Sequence, residues 1–140
     1  MNGAGEPASP EPGANASAEI VVSAADLASA FAPGPRDSFP PVFATARMVA
    51  LMEIAAARVL EPFLPPGAHS VGVRVDVDHT AATPEGATVT ATARYVGREG
   101  KLHLFEVAAF DPGGEIGRGT HRRAVVSGER LVAGAQKRVR

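Results

Sequence analysis

The sequence places a single carboxylate inside its longest apolar stretch. Glu53 is the one acidic residue in the run over 48–60, and the residues three and four positions to either side of it are all Val or Ala. If this run is a helix, no cation stands at the spacing needed to pair with that side chain. Burying a carboxylate costs several kcal/mol unless it is hydrogen-bonded, and it commonly raises the pKa, which suits a general base or a nucleophile. The alternative is that Glu53 lies at the edge of the apolar face and reaches water or an arginine on a strand.

A hydroxyl precedes this carboxylate on the same predicted helix. Thr45 lies about 80° from Glu53 on a helical wheel and two turns earlier, close to where the helix should begin. A threonine at such a place most commonly caps the helix N-terminus. It can also take part in chemistry, because a hydroxyl there stands beside free backbone N–H groups that polarise a carbonyl.

A histidine supplies the third polar group. Four valines alternate with other residues over 71–77, and His79 continues their odd-numbered series. In a strand, alternate side chains share a face, so His79 should point toward the helix, where it could meet Glu53. A histidine on an apolar face is more often a satisfied core residue than a catalyst, and a bulge in the segment HTAAT would change the parity.

Metal and phosphate sites are poorly supported by the sequence. Asp76, Asp78 and His79 are potential ligands, but Asp78 and His79 should point to opposite faces of a strand, and no His-x-x-x-His pair occurs. The segment GGEIGRG fits a hairpin better than a phosphate loop, because a strand rather than a helix follows it. We therefore predict no metal and no other cofactor.

The elements that must hold these residues can be predicted from periodicity and turn sequences. Good helix formers cover 43–63, and the prolines of LPPG end that helix. A short strand is expected in EIVVSAADLASAF, followed by a loop in APGPRDSFPP. Alternation from Ser70 predicts a strand, and three more are predicted at 88–96, 102–110 and 115–126, separated by ATPEGA, GREGK and DPGG.

One helix followed by such a meander buries its apolar face best when the sheet wraps around the helix. The expected class is α+β, with the hot-dog fold, an antiparallel sheet wrapped around one long central helix. The expected organisation is a disordered tail over 1–18, the folded domain over 19–132, and a basic, solvated tail over 133–140. Because a small sheet leaves an open edge, a two-fold homodimer that continues the sheet is expected.

Composition narrows the functional classes further. The chain has 140 residues, a formal net charge of −1 and no cysteine. This length fits one domain, the charge does not favour nucleic acid as a partner, and disulfides and thiolate chemistry are excluded. The N-terminal segment lacks the basic and apolar regions of a signal peptide or membrane anchor, so a cytoplasmic protein is expected. The abundance of Ala, Gly and Pro and the preference for Arg over Lys suggest a bacterial source with a GC-rich genome.

Three segments together resemble the fluoroacetyl-CoA thioesterase-like family of hot-dog enzymes. They are FPPVFATARMVALMEIAAARVLEPFL, SVGVRVDVDHTAATPEG and EIGRGTHRRAVV, and the resemblance spans 39–126. It implies hydrolysis of an acyl-CoA thioester, with coenzyme A entering only as part of the substrate. By motif, the family's catalytic residues fall on Thr45, Glu53 and His79, and substrate-binding positions fall on Phe39, Gly72 and Arg123.

The resemblance leaves several points open. Gly72 and Arg123 have structural alternatives, packing for the first and an ion pair for the second. The fluoroacetyl-specific pattern has a second phenylalanine three residues before the one that matches Phe39, and Arg36 stands there instead, so that selectivity is not carried over. Glu53 either attacks the thioester or positions water. A hydratase or dehydratase, or a non-catalytic protein that binds an acyl ligand, are the alternative functions.

Overall fold

The structure is a computed structural model that describes residues 8–140. Its strands are β1 (Asn15–Val21), β2 (Ala68–His79), β3 (Thr88–Glu99), β4 (Leu102–Asp111) and β5 (Gly114–Ser127). Its α-helices are α1 (Thr45–Leu60) and α2 (Gly128–Val139), and short 3-10 turns cover Ala24–Asp26, Ala28–Phe31 and Glu61–Phe63. No helix within the described residues combines the length and apolar character that a membrane crossing requires.

The strands form one antiparallel sheet in the order β1-β3-β4-β5-β2, which packs against α1. The helix contributes a stripe of buried residues at helical spacing, including Met48, Leu51, Met52, Ala55, Ala56 and Val59. Alternate residues of β3 and β4 face that stripe, and Ala91, Ala93 and Ala109 among them are fully buried. These small side chains let the helix lie close to the sheet, as a densely packed core requires.

The observed elements follow the predicted order, and the main differences are at the chain ends. The predicted disordered tail is wrong for residues 15–18, which pair with β3, and Ala18 is buried. Residues 1–7 of that tail lie outside the described part of the chain. The predicted C-terminal tail is exposed as expected, but it is not a separate tail, because 133–139 form the second half of α2. That helix is capped by the Ser127 hydroxyl, which accepts a hydrogen bond from the Arg130 N–H.

A β-bulge in β2 changes which residues face the helix. β2 pairs with β5, and the register shifts between Gly72 and Arg74, so that Val73 falls within the bulge and is 54% exposed. Gly72 faces α1 as a result, and Val71, next to it, points to the opposite face. The predicted shared face for all four valines is therefore wrong for Val71 and Val73. It is correct beyond the bulge, where parity continues to His79.

Candidate active site

The first pair of predicted site residues meets at the N-terminal end of α1. Thr45 is the first residue of the helix, and its Oγ1 lies 2.8 Å from Nδ1 of His79, the last residue of β2. The helix cap is Ala44, whose side chain makes no capping bond. The N-cap interpretation of Thr45 is therefore wrong, because its hydroxyl bonds to the histidine.

His79 is half-buried, and its surroundings favour its neutral form. Burial lowers the pKa of His79, and the nearby backbone of Ala81 offsets this only in part. Among the described residues, its Nε2 is buried and has no hydrogen-bond partner. A neutral imidazole can accept a proton at one nitrogen and donate one at the other, so this ring is suited to moving protons.

A mostly apolar cleft of about 360 Å³ opens beside the Thr45–His79 pair. Its walls come from the loop ahead of α1 and the loop after β2, and include Pro40, Val42, Phe43 and Ala81. Phe39, which the resemblance assigns to substrate binding, precedes Pro40 and is 48% exposed. Such a cleft is large enough for a small ligand.

The carboxylate of Glu53 belongs to a second group of residues. Glu53 projects from the middle of α1 toward β2 and β5, where Val75, Val77 and His121 share the surrounding recess with it. A Cβ placed on Gly72 would stand only 2.7 Å from Glu53 Oε2. A glycine at that position therefore leaves the room that the carboxylate occupies.

Arg123 is the cation that faces this carboxylate. Its Nη1 lies 3.9 Å from Glu53 Oε2, and the arginine is 6% exposed. Two of its groups donate to Ser70, from Nε to the hydroxyl at 3.0 Å and from Nη2 to the carbonyl at 2.8 Å. The structure therefore has the alternative arrangement, in which Glu53 faces an arginine on a strand. No motif or periodicity indicated the roles of Ser70 and His121, although His121 lies in the HRRAV segment beside Arg123.

The Thr45–His79 pair and the Glu53 group lie at different positions along the axis of α1. Glu53 lies eight positions after Thr45, which corresponds to about 12 Å along a helix axis. Within the described chain, no hydrogen bond or ion pair joins Glu53 to Thr45 or His79. The prediction that Glu53 meets His79 is therefore wrong for a single protomer. The structure brings Thr45 to His79 and, separately, Glu53 to Gly72 and Arg123.

The described residues contain no cluster of three or more His, Asp or Glu side chains with the geometry of a metal site. Asp78 stands opposite Arg118 on β5, and His79 stands opposite Gly117, on adjacent positions that face opposite sides of the sheet.

Comparison with known proteins places these features in one family. A family model for fluoroacetyl-CoA-specific thioesterases matches residues 22–129. The fluoroacetyl-CoA thioesterase of Streptantibioticus cattleyicolor is 50% identical to this chain over 95 residues, which are 68% of each protein.

Solved structures agree in fold. A threonine-to-serine mutant of the fluoroacetyl-CoA thioesterase FlK, solved in complex with acetyl-CoA, is 39% identical, with a TM-score of 0.87 over 93% of this chain and 99% of that one. A hot-dog-like protein from Thermanaerovibrio acidaminovorans is 28% identical, with a TM-score of 0.76 over 91% of both chains. The predicted hot-dog fold is thereby confirmed.

Proposed function

The chain belongs to the fluoroacetyl-CoA-specific thioesterase family, and we propose that it hydrolyses small acyl-CoA thioesters with Glu53, Thr45 and His79 as its reacting groups. The observation that carries this assignment is the hydrogen bond between Thr45 and a half-buried, neutral His79 beside an apolar cleft. A thioester hydrolase needs a nucleophile or base and a proton carrier. The carboxylate of Glu53 and the imidazole of His79 supply these two functions.

Two routes are chemically balanced. In the first, a Glu53 oxygen attacks the acyl carbon, the C–S bond breaks, and coenzyme A leaves as a thiolate; neutral His79 then takes a proton from the water that hydrolyses the mixed anhydride and passes it to the thiolate. In the second, Glu53 takes a proton from water as the water oxygen attacks the acyl carbon; the C–S bond then breaks, and the leaving thiolate of coenzyme A receives that proton through His79. In both routes the oxyanion is stabilised by the first turn of α1, where no side chain caps the backbone N–H groups, and the dimer proposed below brings that turn to Glu53 of the partner subunit.

The substrate class in this proposal is a short acyl group. The cleft beside Thr45 and His79 is lined by Pro, Val, Phe and Ala side chains, which suits an apolar acyl chain better than a charged one. Arg36 and Phe39, in the segment ahead of α1, are both exposed and do not line this cleft. We therefore do not extend the proposal to selectivity for fluoroacetyl.

We further propose that the active unit is a homodimer joined along β2. This strand has β5 on one side only, and Val73 and Val75 are 54% and 40% exposed at its open edge. Its register is regular from Arg74 to His79, so that stretch can pair with its own copy around a two-fold axis. Antiparallel pairing would run the His79 end of one strand toward the Gly72 end of the other.

Such a dimer would complete the site. The Glu53 group of one protomer would then lie beside the partner subunit's His79. The distance of about 12 Å along α1, the rise of eight helical residues, separates Glu53 only from the Thr45–His79 pair of its own protomer. Each dimer would contain two shared sites. The site is incomplete within one protomer, which is the main support for this arrangement.

The reaction class can be tested by measuring free-thiol release from a panel of acyl-CoA thioesters that includes acetyl, fluoroacetyl, branched, aromatic and long acyl groups. Glu53→Gln should lose nearly all turnover, since the amide cannot act as base or nucleophile. Glu106→Gln removes an exposed carboxylate on the outer sheet face and serves as the matched control. Full activity in a folded Glu53→Gln protein would refute the assignment, and inactivity of the unmodified protein on every ester would refute the function.

The shared site can be tested by complementation. We expect Glu53→Gln and His79→Ala chains to be inactive separately. Mixed dimers made from the two inactive chains should recover activity, because one of their two sites draws an intact Glu53 from one protomer and an intact His79 from the other. If each site lay within a single protomer, both sites of the mixed dimer would carry a substitution, and no activity would return.

A further inference from the structure

A second histidine contacts the Glu53 group without belonging to the reacting set. His121 lies in β5, is 2% exposed, and lines the same recess as Glu53. Its ring packs against Phe105 of β4, with the ring centroids 6.2 Å apart. Both ring nitrogens have partners: Nδ1 lies 2.8 Å from the Arg74 carbonyl oxygen, and Nε2 lies 3.1 Å from Nη1 of Arg123.

These two partners determine the tautomer of the ring. A carbonyl oxygen only accepts hydrogen bonds, so Nδ1 of His121 must carry the proton and donate to Arg74. A guanidinium only donates, so Nε2 must offer its lone pair to Arg123. Each contact requires the same neutral tautomer, and a second proton on Nε2 would remove the acceptor and place a cation against a cation.

The bonds of Arg123 engage all three nitrogens of its guanidinium group. Ser70 binds Nε and Nη2 from one side, and His121 binds Nη1 from another. The same Nη1 lies 3.9 Å from Glu53 Oε2. A buried guanidinium held at three of its nitrogens cannot follow the carboxylate if it moves, so the position of its charge is set by Ser70 and His121.

We propose that His121, as the neutral Nδ1–H tautomer, is a positioning residue that holds the Arg123 guanidinium against the reacting carboxylate of Glu53. This inference rests on the proposed thioesterase function and adds to it a residue that acts through Arg123 without touching substrate. Fixed charges of this kind raise the rate because they need no reorganisation while the reaction proceeds.

The groups around His121 keep it neutral at neutral pH. Burial lowers the pKa of His121, the Arg123 cation lowers it further, and the bond to the Arg74 backbone and the Glu53 carboxylate offset this in part. The facing positions on the neighbouring strands are Val75 on β2 and Phe105 on β4, which carry no charge. His121 therefore gains a second proton, which would break its bond to Arg123, only at a pH below the range in which histidines ordinarily titrate.

The test compares three variants with the unmodified protein in steady-state hydrolysis. His121→Phe keeps a ring of similar size but removes both hydrogen bonds, and we expect kcat to fall about tenfold with KM changed less than about threefold. His121→Gln can still donate to the Arg74 carbonyl and accept from Arg123, so most of kcat should return. His103→Phe is the matched control, since His103 is a buried histidine whose partner is the Tyr95 hydroxyl. It should keep kcat.

A double-substitution cycle distinguishes positioning from a general effect on folding. In an Arg123→Met background, His121→Phe should cause no further loss, because the residue through which it acts is already absent. Equal losses in both backgrounds would overturn the proposal. So would an unchanged kcat in folded His121→Phe.

Nitrogen-15 NMR of labelled histidine provides a measurement that needs neither a variant nor a substrate. The expected result is the Nδ1–H tautomer of His121 at pH 7, and an Nε2–H tautomer would overturn the proposal. If the unmodified protein hydrolysed no thioester, the proposed function would fail, whereas the NMR result would still decide the tautomer. If the unmodified protein were active but His121→Phe matched it, only the positioning role would fail.

Discussion

Replacing Gly72 with alanine inserts a methyl group into the space next to the Glu53 carboxylate. Gly72 is absent from the described glycines with positive φ, so alanine fits its backbone conformation without strain. The new Cβ would stand 2.7 Å from Glu53 Oε2 and 3.2 Å from both Cδ and Oε1. Because the group it meets is the end of a flexible side chain, the carboxylate rather than the sheet should give way.

The required displacement sets the size of the effect. Ordinary van der Waals contact begins near 3.4 Å, so the nearest carboxylate oxygen must retreat by about 0.7 Å from its 2.7 Å separation. A misplacement near 1 Å can cost about 10²-fold in rate. We therefore expect kcat to fall by roughly 10- to 100-fold. Stability should hardly change or rise by up to about 1 kcal/mol, because alanine narrows the unfolded ensemble.

The assay pairs acyl-CoA hydrolysis with urea unfolding for Gly72→Ala and a control, Gly134→Ala. Gly134 lies in α2, and a Cβ there would meet nothing within 4 Å. The control should keep its activity and gain up to about 1 kcal/mol from improved helix propensity. A Gly72→Ala protein that retains wild-type kcat would refute the reasoning, because it would mean that the position of the Glu53 carboxylate does not matter for catalysis.

Three further predictions follow from other contacts. Asp26→Ala should lower the free energy of unfolding by about 2 kcal/mol at pH 7, because a hydrogen bond from the Ser23 backbone holds the pKa of Asp26 below 3.8. In urea titrations that deficit should shrink as the pH falls below 3.8, since stability from a depressed carboxyl pKa is lost when the folded form is protonated. Burial lowers the pKa of His79, so the rate of hydrolysis should hold as the pH falls through 6.5 and decline only below it; a decline that begins above pH 7 would contradict the assignment. Val73→Lys should convert the dimer to monomer in light scattering and abolish hydrolysis, whereas Val132→Lys on exposed α2 should change neither; an active monomer would contradict the shared site.

The central helix and the four strands of the meander were predictable because their signals are local. The apolar spacing of α1, the alternation in β2 and the turn sequences between strands depend on neighbours in the chain. The C-terminal helix also had a local signal, since Ser127 precedes Glu129, Lys137 and Arg138, an order that suits a capped helix. Its charge led instead to the prediction of a solvated tail, which missed the helical structure of 133–139. The helix is indeed exposed along most of its length.

The site was predictable in its residue types and only partly in its geometry. Thr45, Glu53 and His79 stand out because each is a polar group on a face that is otherwise apolar, and the pairing of Thr45 with His79 is observed. The expected meeting of Glu53 with His79 is not observed within one protomer. Sequence spacing gives positions along an element, and it does not give the offset between two elements that pack across the core.

The sequence by itself determined the elements, their order and the polar groups that they carry, because hydrophobic period, turn residues and helix propensity act over a few neighbouring residues. Only the tertiary structure decided which faces meet. The bulge at Val73 lies inside an unbroken alternation of valines, so parity along the chain could not reveal that Gly72 turns toward Glu53. Ser70 binds Arg123 across 53 positions of sequence, and His121 binds the Arg74 carbonyl across 47. Both contacts exist because β2 and β5 pair in one particular register.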